Sequence, residues 1–135
     1  MPTLCQIEAA APLGATAMGR LTTHVLDTMH GCPAAGMRVH LHRVADDGRL
    51  TLLSSHLLNA DGRCDAALLE GDDLRAGRYR LVFGVEAYFR ALGVELPTPA
   101  FLAEVPLDFG IADALAHYHV PLLTSPWSYS SYRGS

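Results

Sequence analysis

A few histidines, one arginine and an aromatic-polar ending carry the chemistry available to this chain. His24 sits midway along Leu21-Thr22-Thr23-His24-Val25-Leu26, a run that reads as a strand. Imidazole is the side chain best matched to proton transfer near neutral pH. On a strand face it is by default only a hydrogen-bonded polar group. His117 and His119 are two residues apart, so a strand would turn both to one face, and the same holds for His40 and His42. Two such histidines bind zinc only with a third ligand. Neither pair has a Cys or acidic residue at metal-motif spacing, so no metal site is expected, and His40 and His42 read as a solvated face. Arg63 follows the turn Asp61-Gly62, where an arginine is ordinarily solvated. Its guanidinium is nonetheless a permanent cation with fixed donors, suited to a carbonyl-rich substrate and to an oxyanion formed from it. The terminal Tyr132-Arg133-Gly134-Ser135 offers an aromatic ring, a cation, a flexible backbone and a hydroxyl.

Other chemistries lack their motifs. There is no Gly-x-Ser-x-Gly elbow and no phosphate- or dinucleotide-binding glycine pattern. Asp72 and Asp73 adjoin Gly71 and read as a loop, not as a carboxylate pair. Cys5, Cys32 and Cys64 are an odd number without metal spacing, which points to free thiols in a reducing compartment. No cofactor is expected.

The elements that must position these residues are mostly strands. Residues 37–43 alternate, with Met37, Val39 and Leu41 on one face and Arg38, His40 and His42 on the other. Asp46-Asp47-Gly48 then turns the chain into a second strand from Leu50 to Leu58, giving a hairpin. Tyr79 to Phe83 is a strand rich in β-formers. Glu86 to Leu92 suits one short helix closed by Gly93. Val105 to Phe109 is a further strand, and 117–123 with 127–133 form a last pair about a Ser-Pro turn. Short strands at regular spacing indicate an all-β sandwich.

The 135 residues fit one domain with a real core, and half of them are apolar. The net charge of −4 gives no basic footprint for nucleic acid or an anionic membrane. No apolar run approaches the roughly 20 residues of a membrane span. Residues 1–17 lack the basic start and apolar core of a secretory signal. Ala, Pro, Gly and Thr dominate from Ala9 to Ala17, so 1–17 reads as a flexible N-terminal extension and 18–135 as the domain. Translation could even start at Met18. Cytoplasm is the expected location, ahead of the periplasm.

Three ordered blocks resemble one family. The ending His117-Tyr118-His119-Val120-Pro121-Leu122-Leu123-Thr124-Ser125-Pro126, continued through Tyr129-Ser130-Ser131-Tyr132-Arg133-Gly134-Ser135, is similar to the C-terminal signature of the 5-hydroxyisourate hydrolases, the transthyretin-related enzymes of purine breakdown. It departs from that signature at Thr124, for Leu, and at Ser131, for Thr. Leu21 to Thr28 with Gly31, Pro33 and Ala34 resembles the N-terminal motif, and Asn59-Ala60-Asp61-Gly62-Arg63 the Asn-x-Asp-Gly-Arg turn. The resemblance implies a transthyretin-like, prealbumin-type β-sandwich of two four-stranded sheets with one short helix. It implies a homotetramer, a dimer of dimers. It implies ring-opening hydrolysis of 5-hydroxyisourate without a cofactor. His24, Arg63 and His119 would be catalytic, and His24, Arg63, Tyr132, Arg133 and Ser135 would contact substrate, with His117 in a supporting or structural place. The alternative on the same fold is a small-ligand binding protein without catalysis, as in transthyretin itself.

Overall fold

The computed structural model describes residues 18–134. The expected arm over 1–17, Cys5 within it, and Ser135 lie outside the described residues. Two sheets face each other. One contains β1 (Arg20–Asp27), β2 (Cys32–Pro33), β5 (Leu69–Glu70), β8 (His117–Thr124) and β9 (Tyr129–Ser131). The other runs β4 (Leu50–Leu57), β3 (Arg38–Val44), β6 (Gly77–Phe83), β7 (Val105–Ile111). One short helix, α1 (Val85–Ala91), follows β6. The first sheet has five members because β2 and β5, each of two residues, share one edge of β1. Side by side it is therefore four strands wide, like its partner.

Period-two alternation builds the core. Leu21 and Val25 on β1, Val39 and Leu41 on β3, Leu81 and Phe83 on β6, and Leu122 on β8 are fully buried between the sheets. The β3–β4 hairpin forms as its pattern predicts, with a register shift between Leu41 and His42. The helix begins one residue earlier than expected and ends in a Schellman cap. Gly93 (φ +84°) and Val94 donate to the carbonyls of Arg90 and Phe89. The last strand is shorter than expected. Trp127 and Ser128 belong to the turn, which Ser125 N–H closes on Ser128 O at 2.9 Å, so β9 spans only Tyr129–Ser131.

One buried polar cluster ties the first sheet to the helix. Asp27, with no exposed surface, accepts from the His30 amide on Oδ1 at 2.9 Å and from the Tyr88 hydroxyl on Oδ2 at 2.8 Å, and the same Oδ2 lies 2.6 Å from His30 Nδ1. Burial alone would raise its pKa, but the His30 amide and ring and the Tyr88 hydroxyl overcome that and hold it below its ordinary value. A carboxyl with a depressed folded pKa stabilises the fold at pH values above its unfolded pKa, and the benefit is lost as pH falls through the folded value. Asp27→Ala should therefore cost more than about 2 kcal/mol at neutral pH, because it leaves buried donors unpaired. Urea denaturation at pH 7 measures this, and a change within about 0.5 kcal/mol would show that the cluster is dispensable.

Candidate active site

The outer face of the first sheet, turned away from the core, carries His24, His117 and His119. β1 and β8 run parallel with Thr22 opposite His119 and His24 opposite Pro121. Leu21, Thr23 and Val25 point inward, so Thr22 and His24 point out. On β8 Tyr118 and Val120 are buried, so His117 and His119 share the outer face, as their spacing predicts. Both His24 and His119 are half-buried.

Arg63 reaches His24 through the turn before it. The Asn59 side chain accepts from the amides of Asp61 and Arg63 at 2.9 and 3.2 Å, and its amide group donates to Asp65 at 3.0 Å. Gly62 adopts φ +73° and passes so near β1 that a Cβ would stand 2.6 Å from Val25 O. Its own carbonyl accepts from Val25 N–H at 2.9 Å. Only glycine fits a left-handed backbone at that distance. The turn thereby pairs Arg63 with His24 as an isolated antiparallel bridge. The sequence block Asn59 to Arg63 is a device for setting one guanidinium beside one imidazole.

An open cavity of about 530 Å³ is lined by Thr22, Arg63, Cys64, Asp65, His117 and His119, among others. His24 is not in that lining and joins the site through Arg63. Burial, then the Arg63 charge, lowers the pKa of His24, the carbonyl and charge of Asp61 opposing in part. Burial, then Arg63, then His24 lowers that of His119. Both rings are therefore neutral at pH 7 and able to take a proton. Among the described residues no carboxylate lies within salt-bridge distance of Arg63, whereas Arg80, Arg90, Arg20 and Arg49 are each paired.

The chain end returns along β8. Ser131 Oγ donates to Pro121 O at 2.7 Å and Gly134 N–H to His119 O at 2.7 Å. Tyr132 and Arg133 are not among the residues that line the main cavity. They line a smaller one of about 260 Å³ with Leu107, Asp108, Phe109 and Tyr118. The Arg133 guanidinium lies 4.3 Å over the Tyr118 ring and donates to His117 O at 3.0 Å. Odd-numbered tail residues lean to the core side of the strand, which is why Arg133 meets Tyr118 and not His119. The Arg133 side chain is thus turned to the Tyr118 ring and the His117 carbonyl, and Ser135 lies outside the described residues. Sequence reasoning passed over Thr22, whose hydroxyl lies 2.8 Å from His119 Nδ1. His40 pairs with Ser55 at 2.6 Å on the other sheet, remote from this site. Among the described residues no group of three or more His, Cys, Asp or Glu side chains is gathered as for a metal ion.

Because Arg63 lowers both imidazole pKa values, Arg63→Gln should move both histidine titrations to higher pH. Proton NMR of the imidazole C2 hydrogens reads this without any substrate. Unchanged curves for both rings would mean that the guanidinium does not act on them.

The chain is similar to known proteins over most of its length. The model of the HIUase/Transthyretin family matches residues 21–134. The 5-hydroxyisourate hydrolase of Pseudomonas aeruginosa is 59% identical over 118 residues, covering 87% of this chain and 93% of that protein. Among solved structures, (S)-allantoin synthase superposes with a TM-score of 0.83 at 45% identity, over 88% of this chain and 44% of that one. Sea bream transthyretin, solved with thyroxine, superposes with a TM-score of 0.76 at 25% identity, over 85% of this chain and 94% of its own. A match over nearly all the described residues, with His24, Arg63 and His119 gathered on one sheet face, settles the assignment: this chain belongs to the HIUase/Transthyretin family.

Proposed function

We propose that this protein hydrolyses 5-hydroxyisourate in urate breakdown, opening the ring to 2-oxo-4-hydroxy-4-carboxy-5-ureidoimidazoline. The observation that carries the reading is the meeting of a cation and two neutral imidazoles, from three separate chain segments, on one face of the first sheet. Water adds to a ring carbonyl, the cyclic C–N bond breaks, and the departing nitrogen takes a proton. The two rings suit that traffic: they position and deprotonate the water, and the ring that took the proton later gives it to the departing nitrogen, so both end neutral. The Arg63 charge, without a carboxylate partner among the described residues, suits the oxyanion that forms between those steps, in a site where electrostatic contacts are stronger than in water. Tyr132 is 62% exposed and its ring is free to meet a planar heterocycle. Arg133 acts on the shape of the chain end through Tyr118. Unpaired thiols at Cys32 and Cys64 accord with a cytoplasmic setting.

The decay of freshly generated 5-hydroxyisourate, followed by its ultraviolet absorbance, tests the reading directly. His24→Ala, Arg63→Ala and His119→Ala should each lower kcat/KM by about 10²-fold or more while the fold survives. Effects should combine less than additively if the three act together. Near-normal turnover in any folded variant would remove that residue from the mechanism.

A homotetramer, a dimer of dimers with its sites between the dimers, belongs to the same proposal. Among the described residues β7 and β9 each lie at an edge of their sheet with no strand beyond them, and open edges invite pairing with another chain. Trp127, 56% exposed, packs tilted against the exposed Phe101 with ring centroids 5.8 Å apart, leaving an aromatic patch on the surface. Light scattering should give a mass about four times that of the chain. A fully active monomer would rule the assembly out.

A further inference from the structure

His119 is gripped on two sides of its ring. Its Nδ1 lies 2.8 Å from the hydroxyl of Thr22, its partner across the parallel ladder. On the other side Gly134 approaches so closely that a Cβ there would stand 2.8 Å from His119 Cδ2 and 3.3 Å from Cγ. The Gly134 amide is bonded to the His119 carbonyl, so that approach is fixed by the backbone. With Nδ1 in a hydrogen bond and Cδ2 against the main chain, Nε2 is the ring nitrogen left to work.

We propose that Thr22 and Gly134 form a clamp that holds His119 as the tautomer protonated on Nδ1, with a bare Nε2 turned to the reacting atoms. Which nitrogen of an imidazole carries the proton is set by the hydrogen bond the other makes. A threonine hydroxyl can donate or accept, so Thr22 alone leaves the choice open. Charge decides it. Arg63 and His119 line the same cavity, and a cation in that cavity favours a lone pair over an N–H on the ring nitrogen that Thr22 leaves free. Nδ1–H therefore donates to Thr22 Oγ1, and Nε2 takes the proton from water. As the ring becomes positive, the Nδ1–H···Oγ1 bond strengthens, because charge-assisted bonds are the stronger kind. The proton then passes on to the departing ring nitrogen, and His119 ends neutral. Thr22 touches no reacting atom in this scheme. It is a positioning residue that makes His119 the base. The activity arm of the test rests on the hydrolase reading, and the spectroscopic arm does not.

The experiment uses the full chain labelled with ¹⁵N at histidine, as parent, Thr22→Val, Thr22→Ser and Gly134→Ala. Long-range ¹H–¹⁵N spectra above the His119 titration should show one tautomer in the parent, protonated on Nδ1. Thr22→Val should give a mixture of both, and Thr22→Ser should restore one. Gly134→Ala, which pushes a methyl group against the ring, should also give a mixture. In the absorbance assay, kcat should fall about 10-fold or more in Thr22→Val with little change in KM, and recover in Thr22→Ser, as expected when proton transfer is impaired but binding is not. A parent protonated on Nε2, or a Thr22→Val spectrum identical to the parent, would overturn the clamp. An inactive parent that shows the single Nδ1–H tautomer would support the clamp and refute the hydrolase reading.

Discussion

The parallel ladder between β1 and β8 governs where the site side chains stand. It runs over eight pairs, from Arg20 opposite His117 to Asp27 opposite Thr124, while the other strand pairs are antiparallel. Strand side chains alternate, so a slip of one residue would turn His24 or His119 into the core and expose its apolar neighbours. Buried Leu21, Val25, Tyr118 and Leu122 forbid that slip. The one polar side chain on the inner face of β1 between them, Thr23, is satisfied by donating to Val120 O at 2.7 Å. Apolar packing has no direction of its own. Passed through a period of two, it fixes which face each imidazole occupies.

Electrostatics complete what register begins. Burial, and then a permanent cation nearby, make the protonated forms of the two imidazoles costly, so both are held as bases. The cation is available for this because it lacks an acidic partner among the described residues, unlike the Arg80–Asp108 and Arg90–Glu86 pairs elsewhere on the surface. Asp27 shows the opposite use of charge. It is buried, ringed by donors and kept ionised, and it anchors the turn after β1 to Tyr88 on the helix. One end of β1 is thus fixed by a buried anion, while its middle presents a histidine to an unpaired cation.

Much of this was legible in the residues. Alternation from Met37 onward gave the β3–β4 hairpin, and Gly93 marked the helix end. The spacing of His117 and His119 gave their shared face. What escaped was whatever depends on partners distant in sequence. Thr22 is an ordinary strand threonine until β8 is laid beside it, 97 positions away. Strands β2 and β5 are two residues each, too short to leave a pattern. Arg133 announced a cation but not a direction. Only the path of the chain end along β8 shows that it turns to Tyr118.

The site also depends on departures from regular sheet. Beside His24 on β1 and His119 on β8, the strand is flanked on one side by an irregular segment and not by a full strand. Gly62 brings the Asn59–Arg63 turn against β1 at His24, and Gly134 brings the chain end against β8 at His119. A regular strand at either place would satisfy the backbone but present side chains at fixed two-residue intervals. The turn instead delivers one arginine to one imidazole, and the chain end lays bare backbone on the other. In both places a side chain is excluded by contact, at Val25 O in one and at the His119 ring in the other. The two glycines do opposite things with the same property. Gly62 uses the missing Cβ to bring a charge in, and Gly134 uses it to bring the main chain close enough to press a ring into place.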